Sequence, residues 1–159
     1  MVQHYQDLKF KGQLITAKII KAEYLGESDN SKTLQNLLEY HTNKTEKTLK
    51  IGTIRNFEVT QGYVNRYLKN VLNTTDVYLK ELNYKFICDF ANFLHCYWPK
   101  GHPKAMSNNT VMKHIQRFRK IATLGYHIEW INRDPFVRWK PAYEKREHPY
   151  LTDNELSNI

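Results

Sequence analysis

The sequence predicts an all-α fold, a compact bundle of four to five helices, on three observations. Its 159 residues are 41% hydrophobic, which suits one domain burying about two-thirds of its unfolded surface without a disulfide or metal staple. Apolar residues recur at i, i+3, i+4 and i+7, the spacing of a helix with one buried face. Clusters of turn-forming residues at 26–31, 73–76, 99–103 and 132–135 separate these stretches.

Taken in order, residues 8–25 are the weakest candidate, with Leu8, Ile15, Ile19 and Tyr24 on one side and Gly26 placed as a C-cap. In 31–49 the stripe is Leu34, Leu37, Leu38, His41, Thr45 and Leu49. In 51–72 it is Ile54, Phe57, Val64, Leu68 and Val71. Gly62 interrupts that helix at a cost of about 1 kcal/mol against alanine, which predicts close approach of another backbone, a neighbouring helix in the first instance. Asp76-Val77-Tyr78-Leu79 reads as extended. Residues 84–98 carry Ile87, Phe90, Ala91, Leu94 and Trp98. Residues 107–127 carry Val111, Ile115, Phe118, Ala122 and Gly125, after Ser107-Asn108-Asn109-Thr110, whose side-chain oxygens suit the first free N–H groups.

Charge points to a partner class. The chain carries 24 basic and 16 acidic residues, a net charge of +8. Residues 1–30 sum to zero, 31–75 to +4, 76–98 to −1, 99–127 to +6 and 128–159 to −1. The +6 block holds Lys100, Lys104, Lys113, Arg117, Arg119 and Lys120 without one acid. Such blocks are what a polyanion-binding face requires, although they also serve a surface that is merely well solvated. On a helical wheel, Asn109, Lys113, Gln116 and Lys120 oppose the apolar stripe of 107–127, with Arg117 and Arg119 on the flanks. Ordinary solvated helices mix Glu with Lys, because i, i+4 ion pairs help them. A face of Lys, Arg, Asn, Gln and Thr has instead the donors for phosphates and purine edges. Helix 51–72 presents Thr53, Arg55, Gly62 and Arg66 away from its stripe, with Glu58 as its only acid.

Several classes drop out. No apolar run approaches the roughly 20 residues of a membrane span, and the N-terminus lacks a secretory apolar core. Cys88 and Cys96 sit eight residues apart on one helix, about 12 Å by its rise, too far for a disulfide. Together with His95 and His102 they lack the paired spacing of a zinc site. No phosphate-binding glycine loop or nucleophile elbow is present. The expectation is a cytoplasmic chain with no cofactor, metal, membrane or small-molecule substrate.

The C-terminal third carries a resemblance. Ser107-Asn108-Asn109-Thr110, Arg119-Lys120-Ile121-Ala122, Gly125 and Ile131-Asn132-Arg133-Asp134-Pro135-Phe136 resemble the last helix of the core-binding (SAM-like) domain of tyrosine recombinases, the phage integrase family. There a capped Asn/Thr segment opens the helix, a glycine ends it, and Asn-Pro-Phe follows; here Asp134 stands where Asn is usual. A basic linker (Arg138, Lys140, Lys145, Arg146) then leads to Leu151-Thr152-Asp153-Asn154-Glu155-Leu156, similar to the opening of the family's catalytic domain. Upstream, 31–49 followed by Gly52-Thr53 and a second helix also fits, so the resemblance spans nearly the whole chain.

The resemblance implies three segments: 1–27 as a link from an arm-type DNA-binding region, 28–140 as the core-binding domain, and 141–159 as linker and the first residues of a catalytic domain. It implies double-stranded DNA as partner, with other recombinase protomers when full length. It also implies that the strand-breaking Arg, Lys, His-x-x-Arg and Tyr set lies beyond Ile159, leaving no catalytic residue here. His114-Ile115-Gln116-Arg117 matches His-x-x-Arg but sits on the core-binding helix, ahead of the Asp-Pro-Phe turn. Expected DNA contacts are Thr53, Arg55 and Arg66; Asn108, Asn109, Thr110, Lys113, Gln116, Arg117 and Lys120; and Lys140. Of these Asn109, Lys113 and Gln116 suit base edges. A stand-alone helical DNA-binding regulator and a helical protein–protein adaptor remain as alternatives.

Overall fold

The computed structural model describes residues 32–98, 101 and 105–145. The helix expected over 8–25, its cap at Gly26, Lys100, Lys104 and everything from 146 onward lie outside the described residues. Among the described residues four helices carry the fold: α1 (Leu34–Thr45), α2 (Ile51–Asn70), α3 (Tyr84–Cys96) and α4 (Asn108–His127). A single 3₁₀ turn, Leu79–Glu81, precedes α3.

Helix α1 begins with a reciprocal cap. Thr33 Oγ1 accepts the Asn36 N–H, and Asn36 Oδ1 accepts the Thr33 N–H at 3.1 Å. Asp76 fastens the loop before α3 to this start, its Oδ1 accepting N–H groups from Gln35 (3.1 Å) and Val77 (2.8 Å). The extended reading of 76–79 thus becomes one antiparallel bridge, Thr33 to Tyr78. The stripe of α1 holds through His41, but the helix stops at Thr45 and Leu49 is exposed. Hydroxyls of Thr42, Thr45 and Thr48 bond back to the carbonyls of Leu38, His41 and Lys44; such back-bonding weakens a last turn.

In α2 the buried set is Phe57, Thr60, Val64, Tyr67 and Leu68; Val71, expected on the stripe, is 49% exposed. Gly62 also departs from expectation. A Cβ there would meet nothing within 4 Å, so among the described residues no neighbouring backbone approaches it. In α3, Asn83 Oδ1 caps the helix by accepting the Phe86 N–H at 3.0 Å, and Phe86, Ile87, Phe90 and Leu94 are buried. Trp98 lies past the helix end and is exposed.

Helix α4 is the hub, packing against α1, α2 and α3. Its expected stripe of Val111, Ile115, Phe118, Ala122 and Gly125 is buried throughout, joined by Met112, His114 and Ile121. The Phe118 ring meets Phe86 (6.1 Å), Phe90 (5.6 Å) and Phe136 (5.9 Å), forming an aromatic centre drawn from three elements. Gly125 is the glycine with a close neighbour: an added Cβ would lie 2.9 Å from both Leu37 Cδ2 and Ile131 Cδ1. It does not end the helix, as the family resemblance had implied; the helix closes at His127, where the apolar spacing over 107–127 put it. The helix runs two residues further and closes with paired bonds, Glu129 N–H to Tyr126 O and Trp130 N–H to Gly125 O. Glu129 takes the left-handed position there, at φ 60°. Beyond it, Asp134 Oδ1 accepts the Phe136 N–H at 2.9 Å, a turn that an Asn oxygen would make equally well, and Phe136 is fully buried.

Candidate nucleic-acid interface

The outer face of α4 follows from the phase of its stripe. With Ile115, Phe118 and Ala122 turned inward, Lys113 and Lys120 are exposed, while Gln116, Arg117 and Arg119 are half-buried along the flanks. The helix contains no Asp or Glu. Among the described residues, the cations of α4 pair with no carboxylate; the ion pair that does form is Lys85 to Asp89, one turn apart on α3. A shallow, open groove of about 390 Å³ runs along the C-terminal half of α4, lined by Gln116, Arg119, Lys120, Thr123, Leu124 and His127. Its donors and positive charge fit an anionic ligand.

Helix α2 packs against α4. Thr53, Arg55 and Arg66 are exposed on it, and Arg66 sits over two rings, 5.4 Å from the Tyr63 centroid and 5.8 Å from that of Tyr97. The two helices are tied by a buried polar contact, Thr60 Oγ1 to His114 Nδ1 at 2.9 Å, with the Tyr63 ring edge-on to the imidazole at 4.8 Å. Burial, and secondarily the charge of Arg117, push the His114 pKa down to about 4. His114 is therefore a neutral packing residue at neutral pH, in keeping with its place outside any catalytic box. His41 is shifted the same way by burial, then by Lys44; its buried Nδ1 has no hydrogen-bond partner among the described residues.

The cap segment of α4 behaves differently from expectation. Ser107 occupies the N-cap without a side-chain cap bond; its hydroxyl pairs with that of Thr110 at 3.0 Å. The two asparagines reach across to the chain that follows the domain. Asn108 Nδ2 donates to Ala142 O (2.7 Å), while Asn109 exchanges a pair of bonds with Glu144, Nδ2 to O at 2.9 Å and N–H to Oδ1 at 2.8 Å. The paired donor and acceptor that suited Asn109 to an adenine edge are here engaged by the backbone of 142–144. Lys140 is exposed just before this segment. The expected result for Asn109→Ala is a looser 141–145 segment: trypsin should cut at Lys145 several times faster, with thermal stability nearly unchanged. Equal cutting rates would show that the contact does not restrain the chain.

Thr53, Arg55, Arg66, Lys113 and Lys120 are thus exposed on α2 and α4, with Arg117 half-buried, while Asn108 and Asn109 hold the outgoing chain. Sequence reasoning missed the Thr60–His114 tie, which joins residues 54 apart and leaves no local pattern. It also missed Tyr63 and Tyr97; the signal available for the first was Tyr63-x-x-Arg66, three apart on one helix. No described helix is long and apolar enough to cross a membrane. Among the described residues no group of three or more His, Cys, Asp or Glu could hold a metal.

Compared with known families, residues 33–143 match the model described as the phage integrase SAM-like domain. No curated protein and no solved structure matches the chain.

Proposed function

The chain belongs to the phage integrase SAM-like domain family, and on that premise we propose that it is the core-binding domain of a tyrosine site-specific recombinase, an integrase of a mobile element. In this reading the bundle grips one face of the core recombination site in double-stranded DNA. Breaking and rejoining of strands falls to a catalytic domain of the full-length protein, which works with other protomers on DNA in the cytoplasm. The observation that carries the reading is the outer face of α4: two exposed lysines, two flanking arginines and a glutamine, with no acid on the helix and, among the described residues, no carboxylate pairing its cations. Arg55, Arg66, Lys113, Arg117 and Lys120 then meet phosphates, Thr53, Thr110 and Lys140 border the duplex, and Gln116 with Lys113 reaches base edges. Asn108 and Asn109 contribute by placing the chain that leaves the domain.

Titration of duplex DNA at several salt concentrations tests this. Each neutralised phosphate contributes about −0.9 to the slope of log affinity against log salt, so several contacts give a slope of roughly −3 to −5. Lys113→Ala should reduce that slope by about one and shift folding stability by less than about 0.5 kcal/mol, since the site is exposed. Gln116→Ala should alter discrimination between sites and spare the slope. Binding that is undetectable at low salt, or indifferent to salt, would favour the protein–protein adaptor. Binding in a gene that encodes no strand-transfer domain would favour the stand-alone regulator.

A further inference from the structure

Accepting that the α2–α4 side meets DNA, we propose that Tyr63 and Tyr97 are positioning residues that hold Arg66 as a preset anchor for one backbone phosphate of the duplex. Arg66 is exposed near the end of α2, yet its guanidinium lies 5.4 Å from the Tyr63 centroid and 5.8 Å from the Tyr97 centroid. The two rings brace each other edge-on at 5.6 Å. Each is fixed from a further element. Tyr97, just past the end of α3, packs against Phe93 at 5.4 Å, and Tyr63 packs against His114 of α4, itself tied to Thr60. The platform under Arg66 is therefore built by three helices.

A planar guanidinium held against ring faces keeps its edge N–H donors for a phosphate, and it has already given up part of the rotamer freedom that binding removes. No carboxylate among the described residues takes those donors. Gly62, one turn before Arg66, leaves the approach open: it carries no side chain, and no described residue comes within 4 Å of where a Cβ would stand. A glycine inside a helix weakens it, and among the described residues no contact accounts for Gly62. On this proposal the reason is the close passage of a sugar–phosphate backbone.

The test is a double-mutant cycle read by DNA affinity and salt slope in the full chain. Arg66→Ala should weaken binding roughly tenfold and lower the slope by about one. Tyr97→Leu should weaken binding about threefold while leaving the slope intact, because the charge remains. In the Arg66→Ala background the Tyr97→Leu change should do nothing further, and Tyr97→Phe should keep wild-type affinity. Arg66→Lys, at an exposed site that does not endanger the fold, should keep the slope and lose affinity. Equal losses from Tyr97→Leu in both backgrounds would overturn the proposal, as would an Arg66→Ala variant that binds like wild type while Lys113→Ala binds worse. In that second case the DNA-binding reading survives alone. Absence of salt-dependent binding by the wild type would overturn both.

Discussion

Replacing Phe118 with alanine is expected to remove about 3–5 kcal/mol of folding free energy. The side chain is fully buried on the hub helix, and its ring meets Phe86 and Phe90 of α3 and Phe136 beyond α4, so two elements lose a common partner at once. Edge-to-face and tilted aromatic pairs add about 0.5–1.5 kcal/mol each beyond buried area, and the rigid α3–α4 pair cannot close the gap. Domains of this kind have about 5–15 kcal/mol in all, so the variant should be partly unfolded at physiological temperature. Urea denaturation checks this through a lowered midpoint at an unchanged slope. A loss under about 1 kcal/mol, with Lys113→Ala costing more, would mean that the phase assigned to α4 is wrong.

Acid should destabilise the domain through His114 by about 2 kcal/mol, once some water access to the ring is allowed for. The folded pKa of about 4 lies below the ordinary 6.5, so the unfolded chain binds more protons between those values. Stability from the neutral imidazole is complete above about pH 6.5, declines as the pH falls, and is lost by about pH 4. His41, also shifted downward by burial, acts in the same direction. His114→Gln keeps a hydrogen-bonding group for Thr60 and removes the proton site. Its stability should therefore fall less than that of the wild type between pH 7 and 4. Parallel pH profiles for the two proteins would show that His114 titrates normally in the folded state.

The helices were legible because each repeats a local pattern. In α4 the stripe of Val111, Ile115, Phe118, Ala122 and Gly125 is buried as the spacing implies, and the basic face follows as its complement. Legibility ended where a residue's role depends on a distant partner. Thr60 and His114 look polar and surface-bound until each supplies the other's hydrogen bond across α2 and α4. Thr45 and Leu49 extend the stripe of α1 on paper, but the helix stops at Thr45, in a stretch whose threonines bond back to the carbonyls, and Leu49 is exposed.

The two glycines and the two asparagines show where the division lies. Sequence alone determined the helical class, the inward stripes and the acid-free face of α4, because helix period and side-chain chemistry are properties of short stretches. Tertiary structure alone decided that Gly125, and not Gly62, is the site of close approach, since that depends on Leu37 and Ile131 arriving from other elements. It also decided that Asn108 and Asn109 hold residues 142–144 in place of capping their own helix. An amide advertises a donor and an acceptor wherever it stands, but its partner is chosen by which backbone the packing of the whole bundle brings within 3 Å.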